Sequence, residues 1–255
     1  MPHSAIVIPA RLNSTRLPRK MLLRETGQSL LQHTYESARS AKRPRSVWIA
    51  TDHEEIAVEI KRFGGQMVMT SPDCATGTDR VAEAARAIPE ADILVNVQGD
   101  EPELPGAYVD QVIELLEQNP TAVMATLATP IRSREQLDNP ACVKVVCDRV
   151  GRARYFSRSC IPYPRQWSDD FLKRTPPVYL QHLGLYAYRR DFLLKIPTLP
   201  RASSEELESL EQLRVLDQGY EIYVGVVDQP TSGIDTPEDY RAFVTRTLAR
   251  RRLAG

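Results

Sequence analysis

Residues 8–20 of this chain read "IPARLNSTRLPRK", placing Arg11, Arg16, Arg19 and Lys20 in one short stretch, and no acidic residue occurs between Ala5 and Arg24. Guanidiniums grip phosphate oxygens as planar forks and an ammonium acts as a point charge, so such a cluster can surround a polyphosphate. A solvated basic turn has the same composition, and only its position can tell the two apart. The chain contains neither G-x-x-x-x-G-K-[ST] nor G-x-G-x-x-G. Any phosphate here is therefore held by side chains more than by a glycine cradle.

Two acidic sites are candidates for the complementary chemistry. Asp100, in "NVQGDEP", follows the apolar run Ile93–Val97. An aspartate on a loop past a buried strand is suited to a hard cation such as Mg²⁺, which takes carboxylate and phosphate oxygens and keeps several waters. Gly-Asp followed by proline is equally a turn. In "GIDTPEDY", Thr236, Pro237 and Asp239 are explained by helix initiation, as an N-cap, a first-turn proline and a capping-box acid. Asp235 lies one position before the cap and is not required by it. Should Asp100 and Asp235 meet, they form a two-carboxylate metal site.

Other strings are more ambiguous. "TGTDR", Thr76 to Arg80, opens a helical pattern whose free N–H groups suit a base or phosphate edge, although Thr78 as N-cap accounts for much of it. "TDHEE", Asp52 to Glu55, is D-x-x-E at a helix start and reads as structural, so His53 is not a catalytic candidate. Arg158 in "YFSR", His182 and Tyr186 in "QHLGLYAY", and Glu211 and Gln212 in "LEQLR" are polar or aromatic positions inside apolar segments. Taken alone, each reads as structural.

The elements that must carry these residues follow from hydrophobic periodicity. Strand-like runs "AIVIPA", "SVWIAT", "QMVMTS", "DILVNVQ" and "AVMATLATPI" alternate with helical patterns "SLLQHTYESARSA", "EEIAVEIKRFG", "DRVAEAARAI" and "YVDQVIELLEQN". Strict alternation to about residue 130 predicts an α/β fold with a mostly parallel central sheet and helices on both faces. The basic stretch then sits at the carboxyl end of the first strand, where open α/β sheets bind ligands. From Pro130 to Tyr188 the pattern turns strand-rich and proline-broken, which predicts a small antiparallel insertion and a long loop over "RQWSDDFLKRTPP". That loop is a lid or a disordered connection. One helix is expected over "SSEELESLEQLRVLDQ", capped by Ser203 or Ser204 and ended by Gly219, with a last helix from "DTPEDYRAF". No linker divides the chain, so one domain over residues 1–255 is expected.

Composition narrows the function classes. Lys+Arg 33 balance Asp+Glu 33, which argues against binding a nucleic-acid polymer by bulk charge. No apolar run nears bilayer length and no secretory pattern opens the chain, so a cytoplasmic protein without membrane partners is expected. Cys74, Cys142, Cys147 and Cys160 lack C-x-x-C or zinc spacing and are expected to be buried, reduced thiols.

Together, "IPAR…STRLPRK", "ATDHEEIA", "TGTDR", "VNVQGDEP", "MATLATPI", "VKVV", "YFSR", "HLGLYAY", "LEQLRVL" and "GIDTPED" resemble, in order and over nearly the whole chain, the 3-deoxy-manno-octulosonate cytidylyltransferases, the CMP-Kdo synthetases of lipopolysaccharide assembly. The resemblance implies a nucleotidyltransferase (Rossmann-like) fold and a cytosolic, Mg²⁺-dependent homodimer that converts CTP and Kdo to CMP-Kdo and pyrophosphate. Sugar binding and dimerisation would fall to the insertion around 130–190. Arg11, Arg16 and Lys20 would grip the triphosphate, and Asp100 and Asp235 would bind the metal. Ala10, Thr76, Gly77, Thr78, Arg80 and Gln98 would line the nucleotide, with Gln98 also at the sugar. Arg158, His182, Tyr186, Glu211 and Gln212 would face the sugar acid.

Where the family commonly reads LPGK, this chain has Arg19. Either the φ of Arg19 is negative or the loop is rearranged. Rival readings are activation of a Kdo analogue such as the 8-amino sugar, a glycosyltransferase of related architecture, and a sugar-nucleotide sensor that has lost its metal site.

Overall fold

A computed structural model describes residues 2–254. They group into two compact units, one running to Asp110 and resuming at Thr231, the other Gln111–Pro230.

The first unit is built on β1 (Ser4–Ala10), α1 (Leu30–Ala38), β2 (Ser46–Thr51), α2 (Glu54–Phe63), β3 (Gln66–Met69), α3 (Gly77–Ala85) and β4 (Ile93–Asn96). The strands pair in parallel in the order β3-β2-β1-β4. Ile6, Ile8, Ile49 and Val95 are fully buried, each contributing about 1.5–3 kcal/mol of apolar burial. β1, α1, β2, α2 and β3 step outward in one direction, and α3, which packs on β1, β2 and β4, carries the chain back to β4. With right-handed crossovers this places α3 on the face opposite α1 and α2. The direction of winding reverses between β1 and β4, and that reversal opens a crevice at their carboxyl ends.

Two helix starts differ from the sequence expectation. α2 is capped by His53, whose Nδ1 accepts from the Glu55 N–H at 3.2 Å. Asp52 is thereby released to pair with Arg80 at 2.9 Å. α3 is capped by Thr76, not Thr78, in a reciprocal box with Asp79, both bonds 3.1 Å. In each case the residue that caps is the one whose backbone is extended and whose side chain reaches two or three residues forward.

α4 (Gly106–Gln118) spans the boundary between the units. The second unit continues with β5 (Met124–Pro130), α5 (Arg134–Asp138), β6 (Lys144–Cys147), β7 (Ala153–Ser157), β8 (Leu180–Arg189), α6 (Arg190–Lys195), α7 (Ser203–Glu208), α8 (Gln212–Asp217) and β9 (Ile222–Val226). β5 pairs with β9 in parallel and with β8 antiparallel, and β6 is antiparallel to both β7 and β8, which is the antiparallel portion expected beyond residue 130. The helix expected over residues 203–218 is two short ones. Ser209 takes a left-handed φ of 52° and ends α7, and the cap position is Ala202 rather than either serine. The loop over 165–177 holds a 3₁₀ turn at Asp169–Leu172, and its Trp167, Phe171 and Leu172 pack on Ile131, Leu137, Cys142 and Tyr179. All four cysteines are free thiols; Cys142 is buried and the other three are half-buried.

The chain returns to the first unit with α9 (Pro237–Ala254). Thr236 caps it as expected: Thr236 Oγ1 accepts from Asp239 N at 3.2 Å, and Asp239 Oδ2 accepts from Thr236 N at 2.9 Å. Tyr240 and Phe243 close a small core with Leu17, Leu30 and Ile234, which fixes where Asp235 emerges.

Candidate active site

Both loops that leave the reversal point carry predicted site residues. Arg11 directly follows β1, and Gln98, Gly99 and Asp100 follow β4. Their approach requires glycine at 99, because a Cβ there would lie 2.9 Å from the Pro9 carbonyl oxygen and 3.0 Å from Met21 Cε. Asp100 is brought to Asp235 by the backbone itself, since the Ile234 N–H donates to the Asp100 carbonyl at 2.9 Å.

Lys20 joins the two acids. Its Nζ donates to Asp100 Oδ2 at 2.6 Å, to Asp235 Oδ1 at 3.0 Å and to the Ile234 carbonyl at 2.9 Å, which satisfies all three ammonium hydrogens. Arg16 Nη2 adds a contact to Asp235 Oδ1 at 3.0 Å. Lys20 is buried. Burial opposes its charge, but attraction to Asp100 and Asp235 outweighs that, and its pKa is raised. Arg16, Lys20, Asp100 and Asp235 are therefore assembled in one place.

Asp100 and Asp235 converge on one cationic atom, and two carboxylates are a donor set that Mg²⁺ accepts when phosphate oxygens and water complete its shell. No group of three or more His, Cys, Asp or Glu able to hold a metal occurs among the described residues. A metal that depends on its substrate for further ligands suits such a pair. Sequence reasoning passed over Glu101, whose carboxyl is pushed up to about 7 by burial first and by the neighbouring Asp100 charge second. Its only sequence signal is adjacency to Asp100.

Arg19 is not part of this group. Its φ is +56°, so the expectation of a negative φ or a rearranged loop is corrected: the arginine adopts the left-handed conformation itself, and the loop keeps Lys20 at the acids. Its guanidinium pairs with Glu55 of α2.

The remaining nucleotide candidates surround the same strand ends. Ala10 is fully buried at the end of β1. Arg11 Nη2 donates to the Cys74 carbonyl at 2.7 Å. Gln98 Nε2 donates to Asn96 Oδ1 at 3.3 Å, and a Cβ built on Gly77 would stand 3.9 Å from Gln98 Oε1, so the first turn of α3 lies against Gln98. Thr78 is buried. Arg80 is fully buried, donates to Asp52 and Thr70, and has its Nε unpartnered. Arg11, Asn13, Asp52, His53 and Arg80 help to line a cavity of about 360 Å³.

The sugar-acid candidates all lie in the second unit. His182 Nε2 is 3.0 Å from Thr126 Oγ1, and the Thr126 hydroxyl lies 2.8 Å from the Leu185 carbonyl, an acceptor only. Thr126 donates to that carbonyl, so His182 carries its proton on Nε2. Burial holds the His182 pKa down at about 3, which keeps the ring neutral. Phe156 packs edge-on at 5.0 Å and Tyr186 lies tilted at 5.3 Å. Gln212 is buried with its Nε2 unpartnered, and Glu211 is the N-cap residue of α8. Arg158 donates through Nε to the Glu208 carbonyl at 2.7 Å and through Nη1 to the Pro140 carbonyl at 3.2 Å, so its guanidinium caps the end of α7.

Lys144 was also missed in the sequence. Fully buried on β6, its Nζ donates to the carbonyls of Asn139, Cys142 and Arg158 at 3.1, 2.8 and 2.5 Å. A lysine in a strand reads as exposed, and only the tertiary structure supplies its carbonyl cage.

A family model described as cytidylyltransferase matches residues 5–222. The chain is 49% identical over 242 residues to the 3-deoxy-manno-octulosonate cytidylyltransferase of Rhodopirellula baltica, covering 94% of this chain and 97% of that protein. It is 42% identical over 244 residues to the 8-amino-3,8-dideoxy-manno-octulosonate cytidylyltransferase of Shewanella sediminis, covering 94% and 97%. Among solved structures, a CMP:2-keto-3-deoxy-manno-octonic acid synthetase complexed with CTP superposes with a TM-score of 0.89 at 39% identity, over 97% of this chain and 99% of that one. A 4-diphosphocytidyl-2C-methyl-D-erythritol synthase from Anaerococcus prevotii, at 13% identity and a TM-score of 0.61, shares the fold.

Proposed function

We propose a reaction for this chain as a member of the family to which it belongs, the 3-deoxy-manno-octulosonate cytidylyltransferases: the anomeric hydroxyl of Kdo attacks the α-phosphorus of CTP, and CMP-Kdo forms as pyrophosphate leaves. The new bond is sugar oxygen to α-phosphorus, the bond broken is α-phosphorus to the bridging oxygen, and the hydroxyl proton passes to solvent. The observation that carries the reading is Lys20 bonded to Asp100 and Asp235 at once, with Arg16 on the same acid, at the carboxyl ends of β1 and β4.

Arg11, Arg16 and Lys20 hold the triphosphate and neutralise the charge that grows on pyrophosphate. Asp100 and Asp235 would hold Mg²⁺, which when bound would supply Lewis-acid polarisation and make the attacking hydroxyl more acidic. Ala10, Thr76, Gly77, Thr78, Arg80 and Gln98 shape the nucleotide site, Arg80 by bracing it from a buried position. Arg158, His182, Tyr186, Glu211 and Gln212 serve the sugar acid. The neutral His182 and the unpartnered amide of Gln212 suit hydroxyl groups better than they suit a second charge. No protein nucleophile is required, in keeping with the lack of a Ser, Cys or His nucleophile motif.

Residues 1–255 act as one nucleotidyltransferase, with the insertion around 130–190 serving sugar binding and dimerisation. The working form is a cytoplasmic homodimer that supplies lipopolysaccharide synthesis. No helix among the described residues is long and apolar enough to cross a membrane.

Incubation with CTP, Mg²⁺ and Kdo, followed by assay of pyrophosphate, tests the reading. Release with Kdo and CTP is expected. Release only with the 8-amino sugar, or only with another nucleotide, would overturn the substrate assignment, and turnover of a nucleotide sugar alone would favour a glycosyltransferase.

A further inference from the structure

Five cations lie between Arg11 and Arg24, and only some of them reach the acids of the site. Arg11 donates to the Cys74 carbonyl, and the remaining contacts run to α2. Arg19 forms a two-pronged pair with Glu55, and Arg24 pairs with Glu59. Glu55 and Glu59 are four residues apart, on one face of the helix. The Glu59 side chain is only 4% exposed and also takes Arg62 Nε at 3.2 Å, so it is a fixed point, whereas Glu55 is half exposed.

Arg19 is one of two non-glycine residues with positive φ among those described, and it immediately precedes the 3₁₀ turn Lys20–Leu22. Its carbonyl accepts the Leu22 N–H at 2.9 Å. The left-handed conformation is therefore what starts the turn and sets the direction of Lys20. An L side chain is sterically disfavoured there and persists only if something holds it.

We propose that Glu55 and Glu59 are positioning residues: through Arg19 and Arg24 they latch the basic loop to α2, keep Arg19 left-handed, and so hold Lys20 where it meets a triphosphate. This rests on the reading of Arg16 and Lys20 as triphosphate ligands. The latch also neutralises Arg19 and Arg24, two of the three loop cations that do not touch Asp100 or Asp235, which lowers repulsion within the loop before nucleotide arrives.

Glycine adopts the left-handed conformation unaided, so it should make the latch dispensable. The experiment compares Glu55→Lys, Arg19→Gly and the double variant. In the native background, Glu55→Lys is expected to raise the KM for CTP about three- to tenfold while kcat stays within about twofold. In the Arg19→Gly background the same change should move KM by less than about twofold. Equal rises in both backgrounds, or none in the native one, would overturn the latch. Hydrogen exchange of amides 17 and 19–23 in ligand-free protein reads it without any assumption about the reaction: exchange should quicken in Glu55→Lys and not in the double variant, and unchanged exchange in Glu55→Lys overturns it. If the native protein fails to use CTP at all, the functional reading falls and exchange still decides the latch.

Discussion

Lys20 Nζ lies 2.6 Å from Asp100 Oδ2, joining residues 80 positions apart, and the same atom lies 3.0 Å from Asp235 Oδ1, 215 positions away. One buried ammonium thus allows two carboxylates to share a crevice in which they would otherwise repel.

Replacing Lys20 by Met removes that charge at nearly constant side-chain length. The two carboxylates then face each other unbalanced and the leaving pyrophosphate loses a cation. A fall in kcat/KM of about 10²- to 10³-fold is expected in steady-state kinetics. Near-native kinetics would show that Lys20 is only a structural tie.

Asp235→Asn keeps the shape of the side chain and removes its charge. CTP binding, followed by calorimetry, should remain largely intact, while product formation is lost, because a metal held by the proposed pair would then keep a single carboxylate. Turnover at the native rate would reject the metal role of Asp235.

Gly99→Ala tests the close approach of the two strand-end loops. The added methyl meets the Pro9 carbonyl oxygen at 2.9 Å and Met21 Cε at 3.0 Å, so the turn bearing Asp100 must shift. A loss of about 1–3 kcal/mol in urea unfolding is expected, with reduced turnover. Native stability and rate together would show that the loop yields freely.

His182 makes stability depend on pH. Its pKa is about 3 in the fold against 6.5 as its ordinary value, so the unfolded chain takes up a proton that the folded chain refuses. Stability contributed by this residue is full above that ordinary value and declines as pH falls below it, by up to about 1.4 kcal/mol per pH unit. His182→Phe should flatten the slope of unfolding free energy between about pH 6.5 and 4.5 by roughly that amount. Identical slopes in both proteins would refute the neutral, buried assignment.

Much of the frame was legible because it depends on near neighbours. β2 was bounded correctly at Ser46–Thr51, and Thr236 with Asp239 capped α9 as their spacing demanded. The helix over 203–218 failed because each half is a good helix by composition, and the break at Ser209 is a left-handed backbone that no local residue preference announces. Asp52 opens the D-x-x-E string read as structural at the start of α2, but it pairs with Arg80, 28 residues away, and the cap falls to His53.

The site shows the same division. From residue types alone, the basic loop, Asp100 and Asp235 were candidates, and the order of motifs along the chain pointed to their family. That the loop and both acids share one ammonium, that Arg19 turns away to α2, that His182 is neutral and that Lys144 is caged by carbonyls were decided by packing. Periodicity and capping act over a few residues and are written in the sequence. Which charges meet, and which are stripped of water, depends on strands and helices brought together from distant parts of the chain.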